Sequence, residues 1–525
     1  MLLPHIFNPT PTSYYDVLRQ FQERLDAGLA SGEYQPFVWP YRAFGPNLLI
    51  LYLLLPPTKS KVVYYARYPL FALIIYLSAD SILKCRSSMV TIGYGIGLLN
   101  AWAVLWSASL IIWNDARGEF RRIEEHEGAD EKLPVDKANG ATTGAEKLTD
   151  GDLRARRVDG GAAKSLGSLQ EHGKRSNSSK GKLFVWQTLP ATFHHRLDWV
   201  CDLVSNFRGV RWNYQISGLP PPPAHIQSSL KDPSIPSADA RSDLTHTDQI
   251  RRDLFNFVLC LIALDVQKTI TLQDPYFWGL PPSTPSPFPY PRLFRTLLSV
   301  AFVYTSLLTV FLLSPIVFGV LLGPNIIGQH AWPWLYPPFF GPPSQIYRKG
   351  LAGLWGQWWH QIFRYGFEQA GEFAGRITGW EKMSQKGMLL RVAVAFACSG
   401  PLHACASYTT LGDTKPIYGS FGFFMLQPVG ILAQRAVSGW MKSRGLRARI
   451  PASLRGIINV AVVVVWCYVV GPMIADDFAA SGLWLYEPLP ISPIRALSGD
   501  GFWRWGGRWV RWYSADRWWR SGLAC

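Results

Sequence analysis

Four long stretches without a charged side chain constrain this chain more than any other feature of its sequence. They are Met89–Asn114, Thr296–Gly323, Val392–Gly412 and Gly456–Ala475. About 20 helical residues cross the roughly 30 Å hydrocarbon core of a bilayer. Each stretch is long enough to do so. Four of them together indicate a multi-pass membrane protein whose spans are helices.

Four weaker stretches are shorter or are interrupted by a charged residue: Ala43–Pro57, Val62–Leu83, Leu254–Leu272 and Pro416–Gln434. Counting them, we predict an all-α integral membrane protein, a helical bundle of about eight spans. The first 40 residues contain no continuous apolar segment, so we expect the first span to direct the chain to the endoplasmic reticulum or another endomembrane. Seven scattered cysteines without CxxC pairs predict neither a disulfide framework nor a metal site.

Composition divides the chain into five predicted regions. Charged and small residues dominate 115–182, which cannot bury enough apolar surface to offset the entropy of ordering it, so we predict disorder there. The regions are an N-terminal part with the first spans (1–114), this charged loop (115–182), an extramembrane segment (183–252), a membrane-embedded core that holds the site (253–495) and an interfacial tail (496–525).

Trp and Arg alternate through the tail between Phe502 and Arg520. Trp prefers the headgroup layer and Arg prefers anionic phosphates, so we expect this segment to contact membrane lipids on the cytosolic leaflet. Aromatic residues between basic residues are also typical of proteins that bind single strands. For a chain with this many spans we expect no nucleic-acid partner.

His403 lies inside an otherwise uncharged span. An ionisable side chain at that depth is costly and is a functional hypothesis by default. Pro401 predicts a kink just before His403, which would turn the imidazole, and Ser399 one turn earlier, towards a cavity. The alternative is a structural histidine bonded to a neighbouring helix.

A second cluster places His360 beside Trp355, Trp359 and Gln361, after a Pro-rich stretch. A histidine flanked by Trp and close to apolar spans fits the wall of a membrane cavity. An aromatic belt at the membrane interface is the alternative.

A third cluster consists of Arg208, Arg211, Trp212 and Asn213. Two guanidinium groups beside aromatic and amide side chains could hold the phosphates of a nucleotide-like ligand. The alternative is a positively charged flank of the next membrane element.

Four segments, in this order, resemble the motifs of the fungal wax-synthase-like acyltransferases, a branch related to the membrane-bound O-acyltransferases. That family has RG(I/V)xWN, PPxFG, FWGxxWHQ and SGxxH segments. They correspond here to Arg208–Asn213, Pro337–Gly341, Trp355–Gln361 and Ser399–His403. Leu354 stands where the family has Phe, which leaves both histidines intact but changes the expected acyl pocket.

The resemblance implies an acyl-CoA co-substrate, with acetyl preferred over a long chain, no bound cofactor, and a lipophilic alcohol acceptor such as a terpenoid secondary metabolite. It implies that His403 is the catalytic histidine and that His360 matches a polar partner, which is Asn in many relatives. An alcohol needs a base to take its proton, and a neutral imidazole can do this. His360 would orient the acceptor or hold the carbonyl oxygen. The expected substrate-binding residues are Arg208, Arg211, Trp212, Asn213, Trp355, Trp359, Gln361 and Ser399.

Other functions remain open from the sequence. Within the family, a long-chain wax ester synthase is the alternative. From other classes, a transporter would explain the spans and the intramembrane histidine, and a non-catalytic scaffold would explain the charged loop. His194 and Asp198 also spell HxxxD, a signature of soluble acyltransferases, but no DFGWG motif accompanies it.

Overall fold

The structure, a computed structural model, describes residues 10–126, 183–230, 246–506 and 510–524. Helices dominate these residues, and short strands join distant parts of the chain. The helices are α1 (Tyr14–Ser31), α2 (Phe44–Leu53), α3 (Lys61–Tyr65), α4 (Arg67–Lys84), α5 (Val90–Ser107), α6 (Ala116–Glu119), α7 (Phe193–Ser205), α8 (Ala224–Leu230), α9 (His246–Thr271), α10 (Pro291–Ser314), α11 (Gly323–Ile327), α12 (Ser344–Lys349), α13 (Leu351–Gly353), α14 (Arg364–Thr378), α15 (Gln385–Tyr408), α16 (Gly422–Ser443), α17 (Leu446–Arg449), α18 (Ala452–Ala480) and α19 (Pro493–Leu497).

Six helical stretches among the described residues are long and apolar enough to cross a membrane. They are Lys61–Lys84, Val90–Ile112, Thr247–Thr271, Pro291–Ala331, Gln385–Tyr408 and Ala452–Ala480. They overlap all four uncharged stretches, because an unbroken apolar sequence satisfies its backbone in lipid as a helix. The predicted all-α, multi-pass fold class is confirmed.

The predicted count of about eight spans is not confirmed. Ala43–Pro57 contains the ten-residue helix α2, which at 1.5 Å per residue covers about half of the hydrocarbon core. Pro416–Gln434 folds into a π-helical turn and part of α16, which carries Gln427, Gln434 and Arg435. Neither segment has both the length and the apolarity of a span.

Short π-helical and 3₁₀-helical segments interrupt the regular α-helices. The π-helical turns are Ala108–Ile112, Pro315–Leu322, Leu354–Trp358 and Ile417–Phe421. The 3₁₀ turns are Tyr41–Ala43, Pro275–Trp278, Gly328–Ala331, Pro333–Leu335, Leu483–Leu485 and Trp518–Arg520. π-Helical turns are frequent at functional sites, and Leu354–Trp358 directly precedes His360.

The strands are β1 (Gln35–Pro36), β2 (Val38–Trp39), β3 (Cys85–Arg86), β4 (Arg122–His126), β5 (Leu183–Gln187), β6 (Arg511–Tyr513) and β7 (Gly522–Ala524). β1 pairs with β3 in parallel, and β4 pairs with β5 antiparallel from Arg122 opposite Gln187 to His126 opposite Leu183. The third sheet has the antiparallel order β2-β7-β6.

The charged loop and the tail are described in part. Of the predicted disordered segment 115–182, residues 115–126 fold as α6 and β4, and residues 127–182 lie outside the described residues. The tail pairs through β7 with Val38–Trp39 near the other end of the chain. It leaves Trp512 and Trp518 exposed. Its contact with lipids stays a prediction.

Close packing between α5 and α15 places the two helices that matter most for the site. A Cβ on Gly97 of α5 would lie 2.0 Å from the carbonyl oxygen of Cys405. The Thr409 hydroxyl lies 2.8 Å from the carbonyl oxygen of Gly93 and accepts the Gly97 N–H at 3.1 Å. Small residues that let two backbones approach, joined by a hydroxyl bridge, are typical of membrane helix pairs.

Candidate active site

His403 lies within α15, which begins where the Ser384 side chain accepts the Gly387 N–H and continues through Pro401 to Tyr408. Its Nδ1 is 2.9 Å from the hydroxyl oxygen of Tyr94 on α5. One face of the ring stacks on Phe424, with the centroids 4.4 Å apart and an angle of 17° between the planes. Two contacts from two different helices therefore fix this imidazole.

His360 follows the π-helical turn Leu354–Trp358 and sits among aromatic rings. Its centroid lies between 5.4 and 6.1 Å from those of Phe311, Phe340, Trp359 and Phe363. Its Nδ1 is buried and has no hydrogen-bond partner within the described residues. Burial, and after it the charge of His403, lower the pKa of His360 below its ordinary value.

The structure brings the two histidines into one site. After burial, the charge of His403 is the second cause of the lowered pKa of His360. A path of rings also joins them. Phe424, against His403, lies 6.1 Å from Trp355, which lies 6.0 Å from Trp359, the ring next to His360.

Both imidazoles are enclosed by protein, yet each keeps part of its surface accessible. Beyond the contact with Tyr94, His403 has no hydrogen bond to another described residue. Its Nε2 therefore has no hydrogen-bond partner within the described part of the chain.

Buried amides hold the Trp-rich segment around His360. Gln427 accepts hydrogen bonds from the indole N–H of Trp355 at 3.1 Å and of Trp466 at 3.0 Å. The side-chain amide of Gln361 donates to the carbonyl oxygens of Trp355 and Trp359. Trp355, Trp359 and Gln361 thus form the frame of the turn that carries His360.

Gly341 explains why the Pro-rich motif precedes this turn. Its N–H donates to the carbonyl oxygen of Trp358 at 2.9 Å, and a Cβ there would lie 2.0 Å from the carbonyl oxygen of Gln357. The position tolerates no side chain, because the two segments run against each other. Ser399, the remaining predicted residue of this region, is buried on α15 one turn before His403.

Arg208 joins the third motif to the Pro-rich segment. Its guanidinium donates to the carbonyl oxygens of Pro337 at 2.7 Å and Pro338 at 2.8 Å, and it lies 3.7 Å from the ring centroid of Phe339. Burial lowers the pKa of Arg208 to about 9. Within the described part of the chain no carboxylate forms an ion pair with it, so Arg208 is a buried cation held by carbonyls and a ring.

Arg211 and Trp212 both contact Asp202. The Arg211 guanidinium lies 2.9 Å from the carboxylate, and the Trp212 indole N–H donates to it at 3.1 Å. Asn213 is exposed and donates to the carbonyl oxygen of Glu119. The four residues of this motif therefore contact the protein itself. Their role in binding a ligand stays a prediction.

The HxxxD residues belong to the same charged cluster and not to the histidine site. Asp198 pairs with Arg122 and lies 3.6 Å from His330, while His194 is exposed. A carboxylate that is paired with a buried arginine is engaged in the fold. The pattern therefore arises from a structural cluster on α7.

Sequence reasoning missed Tyr94. It lies in Met89–Asn114, which the hydropathy pattern identifies only as a span. Its ring packs edge-on against Phe478 at 5.7 Å, and its hydroxyl reaches His403, 309 positions along the chain. A polar hydroxyl in an uncharged span was the available signal, but the sequence does not indicate which helix it faces.

Residues 336–426 match the sequence model of the Membrane bound O-acyl transferase family. The matched segment contains the Pro-rich motif, His360 and His403, the region where the two histidines meet. The predicted resemblance is confirmed.

Fungal proteins share this similarity. The chain is 25% identical over 256 residues to the acetyltransferase spyB of Aspergillus fumigatus, a match that covers 46% of this chain and 39% of the relative. It is 23% identical to the O-Mevalon transferase macI of Penicillium terrestre, covering 52% and 60%. It is 26% identical to the acetyltransferase nanB of Aspergillus nanangensis, covering 45% and 56%. The chain thus spans about two fifths to three fifths of the length of these curated relatives. No solved structure matches it significantly.

Proposed function

We propose that this protein is a membrane-bound O-acyltransferase that transfers an acyl group, acetyl by preference, from acyl-CoA to a hydroxyl of a lipophilic acceptor such as a terpenoid. The observation that supports the proposal is the placement of His403 and His360 in one connected set of packed aromatic rings. The relatives spyB and nanB are named as acetyltransferases, which supports acetyl as the transferred group.

The proposed reaction requires no acyl-enzyme, because a thioester is already activated. Nε2 of His403 takes the proton of the acceptor hydroxyl while the oxygen of that hydroxyl attacks the thioester carbonyl carbon. The C–S bond then breaks. CoA leaves as a thiolate, and the imidazolium returns the proton to its sulfur. Overall, an alcohol and a thioester are converted into an ester and free CoA.

His360 is assigned to the carbonyl oxygen. Its buried Nδ1 has no partner, and a buried N–H without an acceptor is costly, so the ring hydrogen is better placed on Nε2. An N–H at Nε2 can donate to the oxygen as negative charge develops there. Burial keeps this imidazole neutral, which suits a donor beside a second histidine.

The aromatic lining would limit wasteful hydrolysis of the thioester by excluding water. Trp355, Trp359, Gln361 and Ser399 lie around the histidine pair and remain the proposed contacts for the acyl chain and the acceptor. Arg208 and the residues that follow it remain proposed contacts for the donor phosphates. We also propose an endomembrane location, supported by the six candidate spans.

The test compares microsomes that contain the wild-type chain, His403→Ala or His194→Ala at matched levels. Labelled acetyl-CoA and palmitoyl-CoA are supplied separately with a panel of terpenoid and long-chain alcohols. We expect labelled ester from the wild type and from His194→Ala, the exposed control, and none from His403→Ala. Ester from palmitoyl-CoA alone would favour a wax ester synthase. Equal turnover by His403→Ala would overturn the proposed chemistry.

A further inference from the structure

The contact between Tyr94 and His403 stands apart from the other contacts of the site. The hydroxyl oxygen of Tyr94 is 2.9 Å from Nδ1 of His403. Neither group has another hydrogen bond to a described residue; Phe424 packs against the imidazole and Phe478 against the phenol, and the buried carboxylate of Asp477 is near the phenol without a hydrogen bond to it. In an apolar space, this hydroxyl and this nitrogen depend on each other.

The backbone packing behind this contact is tight. A Cβ on Gly97 would meet the Cys405 carbonyl oxygen at 2.0 Å, and the Thr409 hydroxyl bridges Gly93 and Gly97. α5 therefore cannot slide along α15 without losing these contacts. The same packing that joins the two helices sets Tyr94 opposite His403.

We propose that Tyr94 is the positioning residue of the catalytic histidine: its hydroxyl oxygen accepts the Nδ1–H of His403 and so leaves the lone pair of Nε2 facing the substrate space. This inference rests on the proposed function and names a residue that acts in it. Neutral imidazole has one N–H and one lone pair, so the group that occupies Nδ1 determines what Nε2 can do.

The proposal accounts for the proton throughout the reaction. When Nε2 takes the hydroxyl proton, the ring becomes an imidazolium with an N–H on each nitrogen. The Nδ1–H keeps its acceptor in Tyr94, and the Nε2–H is then given to the leaving sulfur. A carboxylate orients the histidine of a serine-protease triad in the same way. Here a neutral phenol does so, and the orienting group itself carries no charge.

The first experiment compares Tyr94→Phe with Tyr418→Phe, an exposed tyrosine for which the structure shows no hydrogen bond. Tyr94→Phe keeps the ring that packs on Phe478 and removes only the hydroxyl. We expect kcat to fall about 10- to 100-fold with unchanged KM for both substrates, because a buried N–H loses its acceptor in the transition state. Tyr418→Phe should match the wild type. An unchanged kcat in Tyr94→Phe would overturn the proposal and leave the proposed function intact.

A second experiment needs no substrate. Diethyl pyrocarbonate modifies an unprotonated imidazole nitrogen, and mass spectrometry of the purified full chain gives the rate at His403 with the exposed His194 as internal reference. We expect slower modification of His403 in Tyr94→Phe, because Nε2 loses the acceptor on Nδ1 that makes it more basic. An equal or faster rate would mean that Tyr94 does not accept from Nδ1, and would overturn the proposal. If the wild type forms no ester with any pair of substrates, the proposed function fails, while the labelling still decides the role of Tyr94.

Discussion

The polar side chains of two regions of this protein have opposite kinds of neighbours, uncharged rings in one and charged groups in the other. Around His403 and His360 the neighbours are aromatic rings, and no described carboxylate pairs with either imidazole. In a cluster of charged side chains around α7, called the α7 cluster below, Arg122 and Arg211 are almost fully buried and share the carboxylates of Asp198, Asp202 and Glu124.

The difference follows from what each region has to do. A buried arginine is stable only when acceptors satisfy its charge. The arginines and carboxylates of the α7 cluster therefore pair with each other, and these pairs connect α7, β4 and the Arg208 motif. The proposed base must keep a lone pair available, and His403 is held at Nδ1 while its Nε2 has no hydrogen-bond partner among the described residues. The arginines and carboxylates of the cluster bind one another, whereas the two histidines keep the groups that the proposed chemistry needs.

The largest expected effect concerns His360. If it stabilises the carbonyl oxygen, His360→Ala should lower kcat about 100- to 1,000-fold, the range for losing one oxyanion donor. His360→Asn restores an N–H donor and should recover most of that loss. Initial rates of ester formation at matched protein levels test both. Equal losses in the two variants would mean that His360 does not act through a hydrogen bond.

We expect substitutions in the α7 cluster to lower the stability of the protein and to leave the chemical step unchanged. Asp202→Ala leaves the buried Arg211 and the Trp212 indole without their acceptor, and we expect a loss of about 3 kcal/mol, as for breaking a buried pair. The unfolding temperature of the purified protein should fall. The kcat per folded molecule at saturating acyl-CoA should be unchanged, while the KM for acyl-CoA reports separately on Arg211 and Trp212 as proposed contacts for the donor phosphates. Lost turnover at unchanged stability would place the cluster in the active site and erase the contrast.

Two glycine variants test whether the packing of α5 against α15 sets the position of Tyr94. Gly97→Ala should destabilise the protein by about 1–3 kcal/mol, because its Cβ would collide with the Cys405 carbonyl oxygen. It should also lower turnover by displacing Tyr94. Gly95→Ala, on the same helix with open space around it, should do neither. The unfolding temperatures and the rates of ester formation of the two variants test this. A Gly97→Ala variant with wild-type stability and rate would show that α5 is free to shift.

The smallest expected effect lies at Asp198. Its side chain is 46% exposed, and its partner Arg122 keeps Glu124 at 3.1 Å. Asp198→Ala should therefore cost no more than about 1 kcal/mol, as for an exposed ion pair. It should also leave turnover unchanged, whereas the HxxxD interpretation requires a loss. A comparison of unfolding temperatures with Asp202→Ala provides the contrast within one cluster.

Much of the fold could be predicted, because membrane spans are a local property of the sequence. Uncharged runs such as Gly456–Ala475 form helices that are long and apolar enough to cross a membrane. The predicted count of about eight spans is not confirmed where length and polarity compete, since α2 is short and α16 carries polar side chains. Motif order pointed to both histidines, since His360 and His403 stand in segments that resemble known motifs.

The sequence by itself determined where the chain enters the membrane and which residues are candidates for chemistry. It did so because hydropathy and motif spacing are read along neighbouring residues. Only the tertiary structure decided that Tyr94 meets His403, that Arg208 binds backbone carbonyls, and that the HxxxD aspartate pairs with Arg122. Each of these contacts joins residues far apart in the chain. Helix packing, set by small residues such as Gly97, selects one partner among many that the sequence permits.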